Sequence, residues 1–265
     1  LVGVQGQAAQ IDIPGLVIRN HEAERRMRDA WSRYDYRAIE HEYAGAGWLS
    51  PPLQRIRGLS RVYQQWDAFD HGAALTEAEA WQGYLGRQMG TLRLLAGDGG
   101  RDARRGEALR IVDLLYLAER RAHSGYFDVA ILSLYRATEW VMQWAHRYGE
   151  LGLDVSDVPE DLASGALAGL AHKNHQGKNV LGLEAGWRAL DVLDGLLADI
   201  SRETIDSRRD LANLRNQSLY AHGVEPRSED EYQKATDWFE THVASRFCQE
   251  AFGRSERPFR QLPRD

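Results

Sequence analysis

A single cysteine, Cys248, stands in 265 residues. A lone thiol excludes an intrachain disulfide framework and a cysteine-based metal site, and a reducing cytoplasm is its simplest compartment. Long apolar runs are missing as well. Nowhere do the roughly 20 uncharged apolar residues of a membrane-spanning helix follow one another, and no membrane partner is expected. The longest apolar stretch, near 126–135, is broken by Asp128 and Ser133 and followed at once by Arg136. No basic region leading into an apolar core marks a signal peptide. The chain starts at Leu1 rather than Met, so it is read as a fragment or processed form, with room for a domain ahead of it. Lysine is scarce: all but three of the 33 basic residues are arginine. The formal net charge of −6 argues against a broad basic face that coats nucleic acid, and leaves open a grip on RNA in one cleft. Histidines at metalloprotease spacing are absent too. His172 and His175, in A-H-K-N-H-Q-G-K-N, have no acidic partner nearby and read as a solvated loop, with a metal or phosphate contact as the alternative. Neither a metal nor a cofactor is expected.

What remains is helical, and an all-α fold is expected. Residues 1–18, with I-D-I-P-G-L-V-I, read as an extended leading segment. From Glu22 apolar residues recur at three- and four-residue spacing (Met27, Ala30, Trp31, Tyr34), the mark of a helix with one buried stripe. Asp35 makes a turn, Tyr36–Tyr43 resume as helix, and Gly45, Gly47, Pro51 and Pro52 break it. Two helices follow, over about 53–70 and 76–96, the second opening at T-E-A-E. R-Y-D-Y-R-A-I-E and A-F-D-H-G-A-A-L lie near the period of a tetratricopeptide repeat. No third copy follows, so residues 19–97 read as a pair of helical hairpins rather than an array. The glycine-rich, charged stretch 98–106 is the linker.

Beyond it, Leu109–Ala122 and Phe127–Tyr148 form two strong helices separated by S-G-Y. The second is apolar around most of its circumference (Ile131, Leu134, Tyr135, Val141, Trp144, Ala145) and is expected to be central. Arg136, Glu139 and Gln143 share its one polar face. A buried ion pair is the favoured reading of Arg136 and Glu139, and a place beside a site the alternative. Trp140 and Trp144 read as core, with base stacking as the alternative. A softer stretch, 149–181, precedes helices near 183–202, 207–222 and 229–248. The main domain is thus placed at 107–250, with 251–265 as a tail.

The segment D-L-A-N-L-R-N-Q-S-L-Y-A-H-G, 210–223, carries the chemistry. Seven helical positions separate Arg215 from His222, which returns both to within about 20° of one direction and about 10 Å apart along the axis. Arg208 falls on the same stripe one heptad earlier. Leu211, Leu214, Ser218 and Ala221 form the neighbouring, core-facing stripe, and Gly223 is where a helix commonly ends. His222 in the last turn would feel the negative helix end, which favours its charged form. Histidine moves protons near neutral pH and arginine stabilises charge on phosphoryl oxygens, so the pair suits phosphate chemistry. The spacing alone is unspecific in so arginine-rich a chain; the residues around it give it weight.

R-N-x-S-x-x-A-H-G closing a late helix, after a buried helix reading Y-F-D-V-A-I-L-S-L-Y-R-A-T-E, resembles the HEPN superfamily. It is similar in particular to the helical effector region of CRISPR-associated proteins that join a CARF sensor to a HEPN ribonuclease. W-x-x-Y-D-Y-x-x-A-I-E and Q-Q-W-D-A-F-D-H-G-A-A resemble the helical region before HEPN in one branch of them. The resemblance implies a HEPN-type helical bundle preceded by a helical-hairpin region, and an endoribonuclease that cuts single-stranded RNA without a metal in antiviral defence. The products would carry 2′,3′-cyclic phosphate and 5′-hydroxyl ends. It implies Arg215, His222 and Asn216 as catalytic residues, Arg208 as a substrate contact, Arg136 and Glu139 as supports, and a homodimer whose two motifs meet. A CARF domain binding cyclic oligoadenylate has no counterpart in these residues and would be a missing N-terminal partner. A non-catalytic helical scaffold and a HEPN toxin of a toxin–antitoxin pair are the alternatives.

Overall fold

The computed structural model describes residues 2–97, 102–204, 213–218, 224–260 and 262–263, with side chains from residue 15 onward. Among them the regular structure is helical apart from one small antiparallel ribbon, in which His172 pairs with Val180 and Lys173 with Asn179. The all-α expectation holds. No described helix is long and apolar enough to cross a membrane. The chain divides into two compact units, Leu1–Asp98 with Leu262–Asp265, and Gly99–Gln261.

In the first unit two turns repeat one geometry, and sequence chemistry explains both. The helix Val2–Ser32 is followed by a turn at Tyr34, and the helix Pro51–Asp67 by one at Phe69. Both residues take left-handed backbone, with φ of 60° and 64°. The next residue, Asp35 or Asp70, sends its amide back to the carbonyl of Ala30 or Gln65, at 2.8 and 2.9 Å. Its carboxylate then accepts from the amide of Ala38 or Ala73 and caps the following helix, Tyr36–Tyr43 or His71–Ala78. Each cap satisfies an otherwise orphaned helix N–H. Trp31, Tyr36 and Tyr63 meet edge-on and tilted, with ring centroids 5.0–5.5 Å apart, in the core these turns create. The hydroxyl of Tyr36 donates to the carbonyl of Pro263 at 3.0 Å.

Two expectations change here. Residues 1–18 were expected to be extended, but the helix Val2–Ser32 runs through them. Extending a formed helix fixes one residue per hydrogen bond gained, without a new nucleus, so a segment joined to an established helix follows it. T-E-A-E does not open a helix. Asp70 opens it earlier, T-E-A-E falls at its end, and Gly86 at φ 50° separates the pieces ending at Leu85 from the helix Arg87–Ala96.

The second unit is built on an antiparallel hairpin of Ala103–His123 and Phe127–Tyr148. Its first helix starts inside the expected linker 98–106, because Asp102 accepts from the amide of Arg105 and caps it. The turn copies the two above: Gly125 is left-handed at φ 78°, and the Tyr126 amide reaches back to the carbonyl of Arg121 at 2.8 Å. Val112, Ile131, Val141, Trp144 and Trp187 fill the core.

The expected single helix 183–202 is two, Leu183–Val192 and Ala198–Thr204, separated by left-handed Asp194 and Leu197. Glu229–Phe239 opens with a reciprocal box between Ser228 and Glu231, passes through a π-helical turn at Glu240–Ala244, and continues as Ser245–Phe252. The edge-on contact of Phe247 with Trp144, at 5.3 Å, packs this last helix on the hairpin. The expected tail 251–265 is tied down in part. Arg257 pairs with Glu119 and Glu240, Tyr116 donates to the carbonyl of Phe259, and Leu262 is buried.

Candidate functional site

The helix Phe127–Tyr148 positions the site. Its apolar residues fill the core, which leaves Tyr135, Arg136, Glu139, Trp140 and Gln143 half-buried or exposed. Arg136 pairs with Glu139 one turn on, and its guanidinium lies 5.2 Å from the ring centroid of Trp140. Arg136 is about half exposed (49%) and Glu139 a quarter (25%). The expected buried pair is therefore a surface pair: three positions of helix place both at the polar edge, where water keeps the charged groups solvated.

Arg215 comes to this edge from a helical turn at 213–216. Its guanidinium sits 5.2 Å from the ring centroid of Tyr135 and donates to the side-chain oxygen of Asn216 at 2.8 Å. Arg215 is half-buried and Asn216 exposed. Burial and the nearby Glu139 carboxylate push the Tyr135 phenol up, while Arg215 and Arg136 oppose them. The structure thus brings Arg215, Asn216, Tyr135, Arg136 and Glu139 into one neighbourhood. Tyr135 was expected in the core. Its place one turn before Glu139, on the margin of the polar face, is the signal that marks it otherwise.

The same turn corrects the expected geometry. Helical backbone ends at Asn216, Gln217 is in a turn and Ser218 in a bend, with the Ser218 amide bonded to the carbonyl of Arg215 at 3.1 Å. A bond reaching back three residues tightens the last turn of a helix, so the seven-position helical register from Arg215 to His222 does not run on unbroken. Leu214, expected to face the core, is half-buried; Ser218 is fully buried. His222 and Arg208 lie outside the described residues, as do Leu211, Ala221 and Gly223.

Trp144 is core, at 1% exposure, and its indole N–H donates to the carbonyl of Arg104 at 3.0 Å. Trp140, also expected in the core, is half-buried instead. The two are four positions apart, and Phe247 packs edge-on against the later one. His172 and His175 are exposed on the small ribbon. Among the described residues, no three histidine, cysteine or acidic side chains are placed to hold a metal ion.

A helical bundle built on one long hairpin, with an arginine-bearing turn at the polar edge of its central helix, is a HEPN-type fold. The family model for the Csm6 HEPN domain matches residues 103–245. That is more than half of the chain, and the chain belongs to this family, the CRISPR-associated type of HEPN protein. The match opens where the helix Ala103–His123 begins and closes just past the π-helical turn. No curated protein is a match for the chain.

Proposed function

We propose that the chain is a cytoplasmic endoribonuclease that cuts single-stranded RNA without a metal, in CRISPR-associated antiviral defence. The observation that carries this reading is R-N-Q-S-L-Y-A-H-G, 215–223, inside the region matched by the Csm6 HEPN model. The place of Arg215 over Tyr135, beside a carboxylate and a second guanidinium, supports it. The reaction is an internal transfer. The 2′ oxygen forms a bond to the adjacent phosphorus, the bond from phosphorus to the 5′ oxygen breaks, and a 2′,3′-cyclic phosphate and a 5′-hydroxyl result. His222 removes the 2′-hydroxyl proton or supplies one to the leaving oxygen. Arg215 holds the phosphoryl oxygens as their charge develops. Asn216 steadies the guanidinium through the bond that it accepts from it, and Arg208 contacts the strand. Arg136 and Glu139 support the edge on which Tyr135 sits. Two copies of the motif meet across a twofold axis in a homodimer.

The test is cleavage of single-stranded RNA in excess EDTA. Cutting should persist, leaving 5′-hydroxyl ends. Arg215→Ala and His222→Ala should each lower it by about a hundredfold or more, and the double variant should be little worse than either, because groups acting as one unit are not additive. Loss in EDTA with rescue by magnesium sinks the metal-free mechanism. Absence of cutting in a well-folded dimer returns the chain to the scaffold reading.

A further inference from the structure

Three guanidinium groups lie over three aromatic rings along ten positions of one helix: Arg215 over Tyr135, Arg136 over Trp140 and Arg104 over Trp144, at 5.2, 5.2 and 4.9 Å. Such pairs occur about once per 70–80 residues in folded proteins; here three fall within ten positions. Next to them a cleft of about 260 Å³ opens between the two long helices of the second unit. Glu107 and Arg110 line it from one side, and Trp140, Gln143, Trp144 and Arg147 from the other. Its rim is held by Arg147, which donates to both carboxylate oxygens of Glu107 at 2.8 and 2.9 Å. Trp140 is half-buried, so part of its ring faces the opening. The amide of Gln143 makes no hydrogen bond to any described residue. A flat aromatic ring, an uncommitted amide and guanidinium groups in one cleft match the three parts of a nucleotide: a face to stack on, an edge to bond and a phosphate to neutralise.

We infer that this cleft is a nucleobase subsite, taking one base of a single-stranded RNA next to the part of the strand held at Arg215. Five helical positions from Tyr135 to Trp140 amount to about 7.5 Å along the axis and a rotation of about 140° around it, so Trp140 serves a different part of the strand from the phosphate held at Arg215. The inference rests on the RNA reading above and adds to it a residue, Trp140, that stacks on the substrate without touching the reacting atoms. Stacking on an aromatic ring tolerates any base, so the subsite contributes grip and register rather than a fixed sequence preference.

The test uses the full chain and a short fluorescein-labelled single-stranded RNA with 2′-fluoro sugars, which lack the attacking hydroxyl, with binding read by anisotropy. Trp140→Ala should weaken binding about tenfold or more, and Trp140→Phe, which keeps a stacking face, by a few-fold at most. RNAs made abasic at one position at a time should show one position whose loss weakens the wild type by a similar factor. That loss should weaken Trp140→Ala no further. Should Trp140→Ala melt early, Trp140→Leu keeps apolar volume and removes the ring, and the same weakening is expected. Equal binding by wild type and a folded Trp140 variant, or abasic losses that add to the variant's at every position, overturns the subsite alone. A wild type that binds no single-stranded RNA overturns the ribonuclease reading, and the subsite with it.

Discussion

Gly186 lies inside the helix Leu183–Val192, where glycine costs about 1 kcal/mol of helix stability relative to alanine. Taken alone, that fact predicts a stabilised Gly186→Ala. The packing predicts the reverse. A Cβ at this position would lie 2.4 Å from the Met142 sulfur and 2.7 Å from its terminal methyl, more than 1 Å inside the contact distance of about 3.5–4.0 Å. Met142 is 1% exposed, so its side chain has no solvent to swing into. Overpacking of this sort costs about 1–3 kcal/mol. The carbonyl of Gly186 also accepts from Nε2 of buried His146 at 2.8 Å, and moving the helix aside leaves that ring unbonded for a further 1–3 kcal/mol or so. With the propensity gain of about 1 kcal/mol subtracted, a net loss of about 1–5 kcal/mol is expected. In a protein of this size that lowers Tm by roughly 2–20 °C, measurable by thermal and denaturant unfolding followed by circular dichroism. Met142→Ala alone should cost about 2–5 kcal/mol. Combined with Gly186→Ala it should cost less than the sum, by about 1–3 kcal/mol, because the new methyl occupies the vacated space. A Gly186→Ala protein as stable as the wild type, with strictly additive behaviour in the double variant, would refute the close approach of the two helices.

Arg257, beyond the end of the family match, should matter to the stability of the second unit. It bridges Glu119 and Glu240 with its guanidinium 4.9 Å from the ring centroid of Tyr116, so Arg257→Ala should cost about 1–3 kcal/mol by chemical denaturation, between the values for exposed and buried pairs. Ser228→Ala removes one half of the reciprocal box at the start of Glu229–Phe239 and should cost about 1 kcal/mol on the same measurement. Burial holds the His146 imidazole below its ordinary 6.5, against the opposing pull of the Gly186 carbonyl. The unfolded chain therefore takes up that proton first: stability is full above about pH 6.5 and falls as pH drops below it toward the lowered folded value. His146→Gln should flatten this part of the profile, and a melting curve from pH 7.5 to 5 with the same slope in both proteins would contradict the assignment.

Sequence by itself determined most of the helices and where several begin. The signals are local: the stripe of Met27, Ala30 and Trp31, the turn at Asp35, the glycine before Tyr126, and the apolar sweep of Phe127–Tyr148 each act within a turn or two of their own position. R-N-Q-S-L-Y-A-H-G was legible for the same reason, since its residue types and their order are properties of the chain. Tertiary structure decided what depends on neighbours distant in sequence. Trp140 and Trp144 lie one helical turn apart, yet Trp144 is buried, with Phe247 from the far end of the chain packed edge-on against it, and Trp140 is half-buried. Arg136 and Glu139 pair as expected but stay at the surface, about half and a quarter exposed, rather than inside the bundle. Asp194 and Leu197 adopt left-handed backbone and split a helix that apolar periodicity would carry through. The turn bearing Arg215 ends at Asn216, although the residues beyond keep a helical pattern. Periodicity states that a face is apolar; only the packed neighbours determine whether that face is buried, and therefore which side chains are left at the surface to meet a substrate.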